Sequence, residues 1–158
     1  MRLSARLTLI ISFLIGIILM VMPVVPWLSD IWPLWIIPIL AYWIMALPHR
    51  VGLLAAWGSG IILDILYNSL LGAHALALLI FAALFSKISR QFSFFSTIQQ
   101  MLILILLSLV YVVILLLTQL YEGQSILPSF WWPLITTALV WPLVSLILQH
   151  YRRRFRIT

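Results

Sequence analysis

Six hydrophobic segments, separated by short polar turns, follow one another along the chain. They cover residues 3–22, 31–47, 51–67, 71–86, 98–121 and 130–150. A helix needs about 20 apolar residues to cross the roughly 30 Å hydrocarbon layer of a bilayer, and these segments lie near or above the lower limit. The pattern therefore predicts an all-α integral membrane protein, in which residues 1–158 form a single domain of six transmembrane helices.

The charged residues divide the ends of these segments into two groups. Asp30 and Glu122 fall in loops on one side, and only Asp64 lies inside a hydrophobic run. Basic loops are retained in the cytoplasm, so the arrangement predicts an even number of crossings with both termini cytoplasmic. The nine basic residues fall at or beyond segment ends on the other side: Arg2, Arg6, Arg50, Lys87, Arg90, Arg152, Arg153, Arg154 and Arg156.

Two short segments, 51–67 and 71–86, leave a second topology open. They could enter from the cytoplasm and return without crossing, because both arrangements keep Lys87 and Arg90 inside. Full crossing is favoured, since a turn exposed to lipid at mid-depth would leave backbone groups unpaired.

The composition excludes an ordinary soluble domain. Of the 158 residues, 65% are hydrophobic and 8% are charged, and the mean hydropathy is +1.23. A net charge of +6 would suggest nucleic acid for a soluble protein. Here the cations are membrane anchors, so lipid is an expected partner and nucleic acid is not. The absence of cysteine excludes disulfides, thiolate metal sites and a cysteine nucleophile.

Two stripes of small residues predict places where helices pack closely. Such stripes let two backbones approach each other in lipid. Each stripe recurs at every fourth position and so occupies one helix face. The stripes are Thr8, Ser12 and Gly16 in the first segment, and Gly52, Ala56 and Gly60 in the third.

Asp64 and His74 are the candidate polar pair of the membrane region. The turn between the third and fourth segments centres near Ser69, so the two residues lie at similar depth and can form a charge-assisted hydrogen bond. Its role is open: a proton relay or polar ligand site, or a brace for the hairpin. Two candidate ligands are too few for a metal site, and no catalytic or cofactor-binding residue is predicted.

Several motifs resemble the rod shape-determining protein MreD family, in its proteobacterial form. Residues 42–51 (YWIMALPHRV) look like the end of that family's second span. Residues 60–64 (GIILD) and 71–76 (LGAHAL) resemble its central hairpin, and residues 107–109 and 141–142 fit later parts. The candidate motif or partner positions carried over are Pro48, His49, Arg50, Asp64 and Gly72, with His74 beside them.

The resemblance implies a non-enzymatic scaffold in the bacterial inner (cytoplasmic) membrane. Such proteins are associated with MreC, the actin-like MreB, the glycosyltransferase RodA and a class B penicillin-binding protein, and through them with lateral peptidoglycan synthesis and cell shape. The family is also likened to the six-helix substrate-binding subunits of energy-coupling vitamin transporters. This likeness keeps a second function open, a ligand-binding or transport subunit whose pocket would be lined by Asp64, Asn68, His74 and Tyr111.

The resemblance also suggests how MreC would be held. MreC is expected to have one membrane span, and a face of small residues can seat such a span because it allows close backbone approach. Either stripe of small residues is a candidate for this role, and one of them can instead be used inside the protein.

Overall fold

The computed structural model describes residues 3–47, 51–123 and 131–154, with side chains at 7–47, 51–123 and 131–153. These residues form seven α-helices and no strand. Many large apolar side chains point outward, among them Leu54, Ile98 and Leu106, as expected of a surface that faces lipid. The helices are α1 (Leu3–Val21), α2 (Pro26–Ser29), α3 (Ile36–Ala46), α4 (Leu53–Tyr67), α5 (Ala73–Phe92), α6 (Thr97–Tyr121) and α7 (Trp132–Arg154).

Three helices of the described residues are long and apolar enough to cross a membrane: Ala73–Phe92, Thr97–Tyr121 and Trp132–Arg153. The apolar helices Leu7–Val21, Ile36–Ala46 and Leu53–Tyr67 are shorter. Each of the six predicted segments overlaps one of these helices. That each one crosses the membrane stays a prediction.

The short helix α3 is the centre of the bundle. Every residue from Ile36 to Ile44 is buried, and α3 contacts α1, α5 and α7. Eleven residues span only about 16 Å at 1.5 Å per residue, which is about half of the hydrocarbon thickness. Because its neighbours surround it, α3 is packed by protein on all sides.

The second predicted segment, 31–47, is helical only from Ile36 onward, so the prediction placed the helix start too early. Residues 32–34 are non-helical, because the residue before a proline is disfavoured in helical geometry and Pro33 has no N–H to donate. A start at Ile36 also leaves Pro38 in the first turn, where a missing N–H costs little. The Leu34 N–H is satisfied by the hydroxyl of Thr137 at 2.8 Å.

The helix α5 continues to Phe92, past the predicted end at residue 86. Its last turns are amphipathic, with Lys87 and Arg90 exposed and Phe92 fully buried. The Phe92 ring lies 4.9 Å from the ring of Phe85 and 5.4 Å from that of Trp141, measured between centroids. The helix therefore continues past its cations with one face still packed in the aromatic core.

Gln100 fastens the turn between α5 and α6. Its Nε2 donates to the carbonyl oxygens of Phe92 at 3.0 Å and Phe95 at 3.1 Å. Its Oε1 accepts a hydrogen bond from Nε1 of Trp141 at 2.8 Å. One side chain therefore ties this end of α5 and α6 to α7.

Candidate functional site at the hairpin between α4 and α5

Asp64 of α4 caps the beginning of α5. Its side chain is fully buried. Oδ2 accepts hydrogen bonds from the backbone N–H groups of Gly72 at 2.8 Å and Ala75 at 3.3 Å, and Oδ1 accepts one from the N–H of His74 at 2.8 Å. The first N–H groups of a helix have no partner within it and carry a partial positive charge. A carboxylate from the neighbouring helix therefore neutralises and satisfies them at once.

Two side chains complete the surroundings of the same carboxylate. Nδ1 of His74 lies 2.9 Å from Oδ1 of Asp64, and Oγ of Ser69 donates to that oxygen at 3.1 Å. Since an ionised carboxylate only accepts hydrogen bonds, Nδ1 carries the proton in this arrangement. The carboxylate thus receives five hydrogen bonds, three from the backbone and two from side chains.

The trio of Asp64, Ser69 and His74 does not have the geometry of a hydrolytic triad. Oγ of Ser69 lies 3.3 Å from Nδ1 of His74, the same nitrogen that meets Asp64. Nucleophilic catalysis requires the serine at the opposite nitrogen, Nε2, so that the histidine can pass a proton between them. The arrangement is instead that of a brace that joins α4, the turn and α5.

Two tyrosines flank the His74 ring and connect the brace to other helices. Tyr67 stacks on the ring with centroids 5.3 Å apart, and Tyr111 of α6 meets it edge-on at 6.2 Å. The Tyr67 hydroxyl donates to the carbonyl oxygen of Met20 in α1 at 2.5 Å. The Tyr111 hydroxyl is buried and has no hydrogen-bond partner among the described residues.

The turn that carries the brace depends on two left-handed residues. Asn68 ends α4 with φ of 50°, and Gly72 precedes α5 with φ of 107°. Only glycine adopts the second conformation without strain. This backbone conformation of Gly72 directs its N–H toward the Asp64 carboxylate. The glycine of the Leu-Gly dipeptide and the aspartate are therefore two halves of one contact.

Gly60 sets the distance between α4 and α5. A Cβ atom built on Gly60 would lie 2.3 Å from Cα of Ala75 and 2.6 Å from its backbone nitrogen. Ala56, one turn earlier, is also fully buried, whereas a Cβ atom on Gly52 would meet nothing within 4 Å. The contact at Gly60 brings α5 close enough for Asp64 to reach its first N–H groups.

The other stripe of small residues faces α3. Oγ of Ser12 accepts a hydrogen bond from Nε1 of Trp43 at 2.8 Å, and a Cβ atom on Gly16 would lie 2.7 Å from Cδ1 of Ile39. Thr8 is half-buried farther along α1. This stripe therefore seats α1 on the central helix.

The chain matches the model of a known protein family over almost its whole length. The model for the rod shape-determining protein MreD matches residues 1–151. The chain belongs to the MreD family. The rod shape-determining protein MreD of Haemophilus influenzae (strain ATCC 51907 / DSM 11121 / KW20 / Rd) is 28% identical over 159 aligned positions, which cover 94% of this chain and 93% of that protein. No solved structure matches.

As a member of this family, the chain is a rod shape-determining membrane protein. The structure shows where part of the motif residues that resemble the family lie. The MreD-like residues Asp64, Gly72 and His74 meet in one hydrogen-bonded cluster. Pro48, His49 and Arg50 lie outside the described residues.

The pocket predicted from the transporter likeness is only partly assembled. Asp64, His74 and Tyr111 lie close together, but Asn68 is exposed at the turn. Within the described residues, no group of three or more His, Cys, Asp or Glu side chains could hold a metal ion.

Sequence reasoning missed three contributors to the site: the backbone N–H groups of α5, Tyr67 and the bond from Tyr67 to Met20. The glycine after a leucine pair at the turn was the available signal for the first. The contact to Met20 joins residues 47 positions apart and leaves no local signal.

Proposed function

We propose that this MreD-family chain is a non-enzymatic scaffold of the bacterial elongation (rod) complex. It crosses the inner membrane six times with both termini in the cytoplasm. It binds the membrane span of MreC and, together with MreB, RodA and a class B penicillin-binding protein, links the cytoskeleton to lateral peptidoglycan synthesis.

The observation that carries the proposal is the number of hydrogen bonds that the buried Asp64 carboxylate accepts. This is the one acid within a predicted span, and its five hydrogen bonds hold two helices and a turn together. A proton relay or ligand site needs a group that can exchange its partners. Asp64 has instead the surroundings of a fixed structural anion, which favours a scaffold over a transport subunit.

The distribution of charge on the helices supports the proposed topology. Lys87 and Arg90 are near the end of α5, and Arg152 and Arg153 are at the end of α7. Glu122 follows the end of α6, which runs the opposite way. Cations at one set of helix ends and an acid at the other match the rule that basic ends stay inside.

The seat for the MreC span is on the outward face of α4 rather than on either stripe of small residues. Gly16 and Gly60 are already in contact with α3 and α5. Gly58 points away from the bundle, where a Cβ atom would meet nothing within 4 Å. Leu54 and Ile65, one and two turns away, are exposed. A glycine between large aliphatic side chains lets a second helix approach closely in lipid.

Co-purification with MreC tests the scaffold and its seat. Gly58→Leu should reduce the amount of MreC captured by the affinity-tagged protein in mild detergent, while membrane insertion stays normal. The matched control is Ala83→Leu, which adds the same bulk at an exposed position of α5. If both variants capture equal amounts of MreC, the MreC span does not bind at Gly58. If the unaltered protein captures no MreC, the proposed scaffold function is wrong.

A further inference from the structure

An apolar groove lies between α1 and α7, on the face of the bundle where these two helices diverge. Its volume is about 500 Å³. Ile11 and Ile15 of α1 form one wall, Val144 and Leu148 of α7 form the other, and Ile39 of α3 contributes to the floor. The groove is therefore a cleft in the outer surface of the bundle with almost entirely apolar walls.

The size of the groove suits a slender chain better than a helix. A helix of about 10 Å diameter crossing about 30 Å occupies roughly 2,400 Å³, several times the volume of the groove. Along α1 the lining extends from Leu7 to Leu19, a rise of about 18 Å. One leaflet of a bilayer is about 15 Å deep, so the groove matches one extended acyl chain of a lipid.

A cation lies at the end of the groove that is formed by the C-terminus of α7. Val144, Leu148 and Arg152 are four residues apart in turn, so Arg152 continues the same face of α7. Arg152 is half-buried. Its guanidinium lies beside the hydroxyl of Tyr42, a buried residue of α3 on the same side as Ile39.

Among the described residues, neither polar group at this end has a protein anion to bind. The three acidic side chains of the sequence are Asp30, Asp64 and Glu122. Asp64 is bound at the tip of α4, at the opposite end of the bundle. The Tyr42 hydroxyl is buried and has no hydrogen-bond partner among the described residues. A half-buried guanidinium and a buried hydroxyl side by side form a site for a phosphate oxygen.

We propose that the groove binds one acyl chain of an anionic glycerophospholipid, whose phosphate is held by Arg152 and Tyr42. In the proposed topology this is a lipid of the inner leaflet. The apolar walls select for a chain and the cation selects for the headgroup. The lipid would therefore fill the cleft between α1 and α7 and hold α1 against the bundle.

The headgroup part is tested by native mass spectrometry of the full chain in detergent. The probes are phosphatidylglycerol and phosphatidylcholine with identical acyl chains. The unaltered protein should retain phosphatidylglycerol with roughly fivefold preference, the effect of one cation near a membrane surface. Arg152→Gln should abolish the preference, whereas Arg90→Gln, which removes an exposed cation at the end of α5, should leave it unchanged. Equal retention of both lipids by the unaltered protein overturns the proposal.

A second variant covers the case in which Arg152→Gln fails to fold. Tyr42→Phe removes only a hydroxyl, and it should reduce the retention of both lipids about two- to fivefold, because each carries the phosphate, while the net charge of the protein is unchanged. Unaltered retention of both lipids in this variant contradicts the assignment of the phosphate to this end of the groove.

The groove itself is tested by filling it. Ile15→Trp places an indole in the cleft and should remove the retained lipid. Ile18→Trp makes the same change at a more exposed position of α1 that does not line the groove, and it should retain the lipid. Lipid retention by both variants overturns the proposal. So does a dimer, or a complex with a single-span protein, that Ile15→Trp alone dissociates, because another helix would then be the occupant.

Discussion

Replacing Gly60 with alanine measures how much the close approach of α4 and α5 contributes to stability. The new Cβ atom would lie 2.3 Å from Cα of Ala75, whereas ordinary contacts begin at 3.4 Å. The helices must therefore separate by about 1.1 Å at this point. Because the opposing atoms belong to the backbone, no side-chain rotation can relieve the contact.

The expected cost follows from three contributions. Overpacking of this kind costs about 1–3 kcal/mol, and a backbone obstacle places it near the upper value. Separation also lengthens the hydrogen bond from the His74 N–H to Asp64, now 2.8 Å, which costs about 1 kcal/mol. Alanine regains about 1 kcal/mol of helix propensity. The net destabilisation is about 3 kcal/mol.

A thermal-stability measurement in mild detergent, followed by size-exclusion chromatography, checks this value. The matched control is Gly58→Ala, two residues earlier on α4, where the new Cβ atom meets nothing within 4 Å. This variant should be as stable as the unaltered protein or more so, because it keeps the gain in propensity. If Gly60→Ala melts at the same temperature as Gly58→Ala, the two helices are not in backbone contact at Gly60.

Further substitutions at four positions test the brace and the packing of α1 on α3 in the same assay. Gly72→Ala should destabilise by about 1–2 kcal/mol because alanine is strained at φ of 107°. Asp64→Asn should cost more than Ser69→Ala, since an amide has one accepting oxygen and leaves a backbone N–H of α5 unbonded; equal melting temperatures would contradict this. Ser12→Ala should cost about 1–3 kcal/mol by leaving Nε1 of Trp43 unpaired, and Ser12→Thr should restore part of the loss.

Local patterns in the sequence were enough to predict the polar centre of the site. The turn around Ser69 fixes the depth of the residues on either side, and the expected bond between Asp64 and His74 is present at 2.9 Å. The question between relay and brace could not be decided from the sequence. The brace that we propose depends on the backbone N–H groups of Gly72, His74 and Ala75, which local patterns in the sequence do not place.

Contacts between distant segments were beyond prediction. The bond between Ser12 and Trp43 and the bond between Leu34 and Thr137 join segments far apart in the sequence, and no periodic pattern marks either pair. The late start of α3 was available in principle from Pro33 and Pro38. The continuous apolar run concealed it, because hydrophobicity reports burial and says little about backbone conformation.

The central position of α3 has a consequence for how the protein is made. About 16 Å of helix is too short to be a stable membrane segment alone, and the preceding non-helical backbone needs the Thr137 hydroxyl to satisfy Leu34. That hydroxyl is synthesised 103 residues later. Until α7 is made, the Leu34 N–H and the face of α3 that contacts α7 have no partner from that helix. The final packing of α3 therefore comes late in the assembly of the bundle, after α7 has been synthesised.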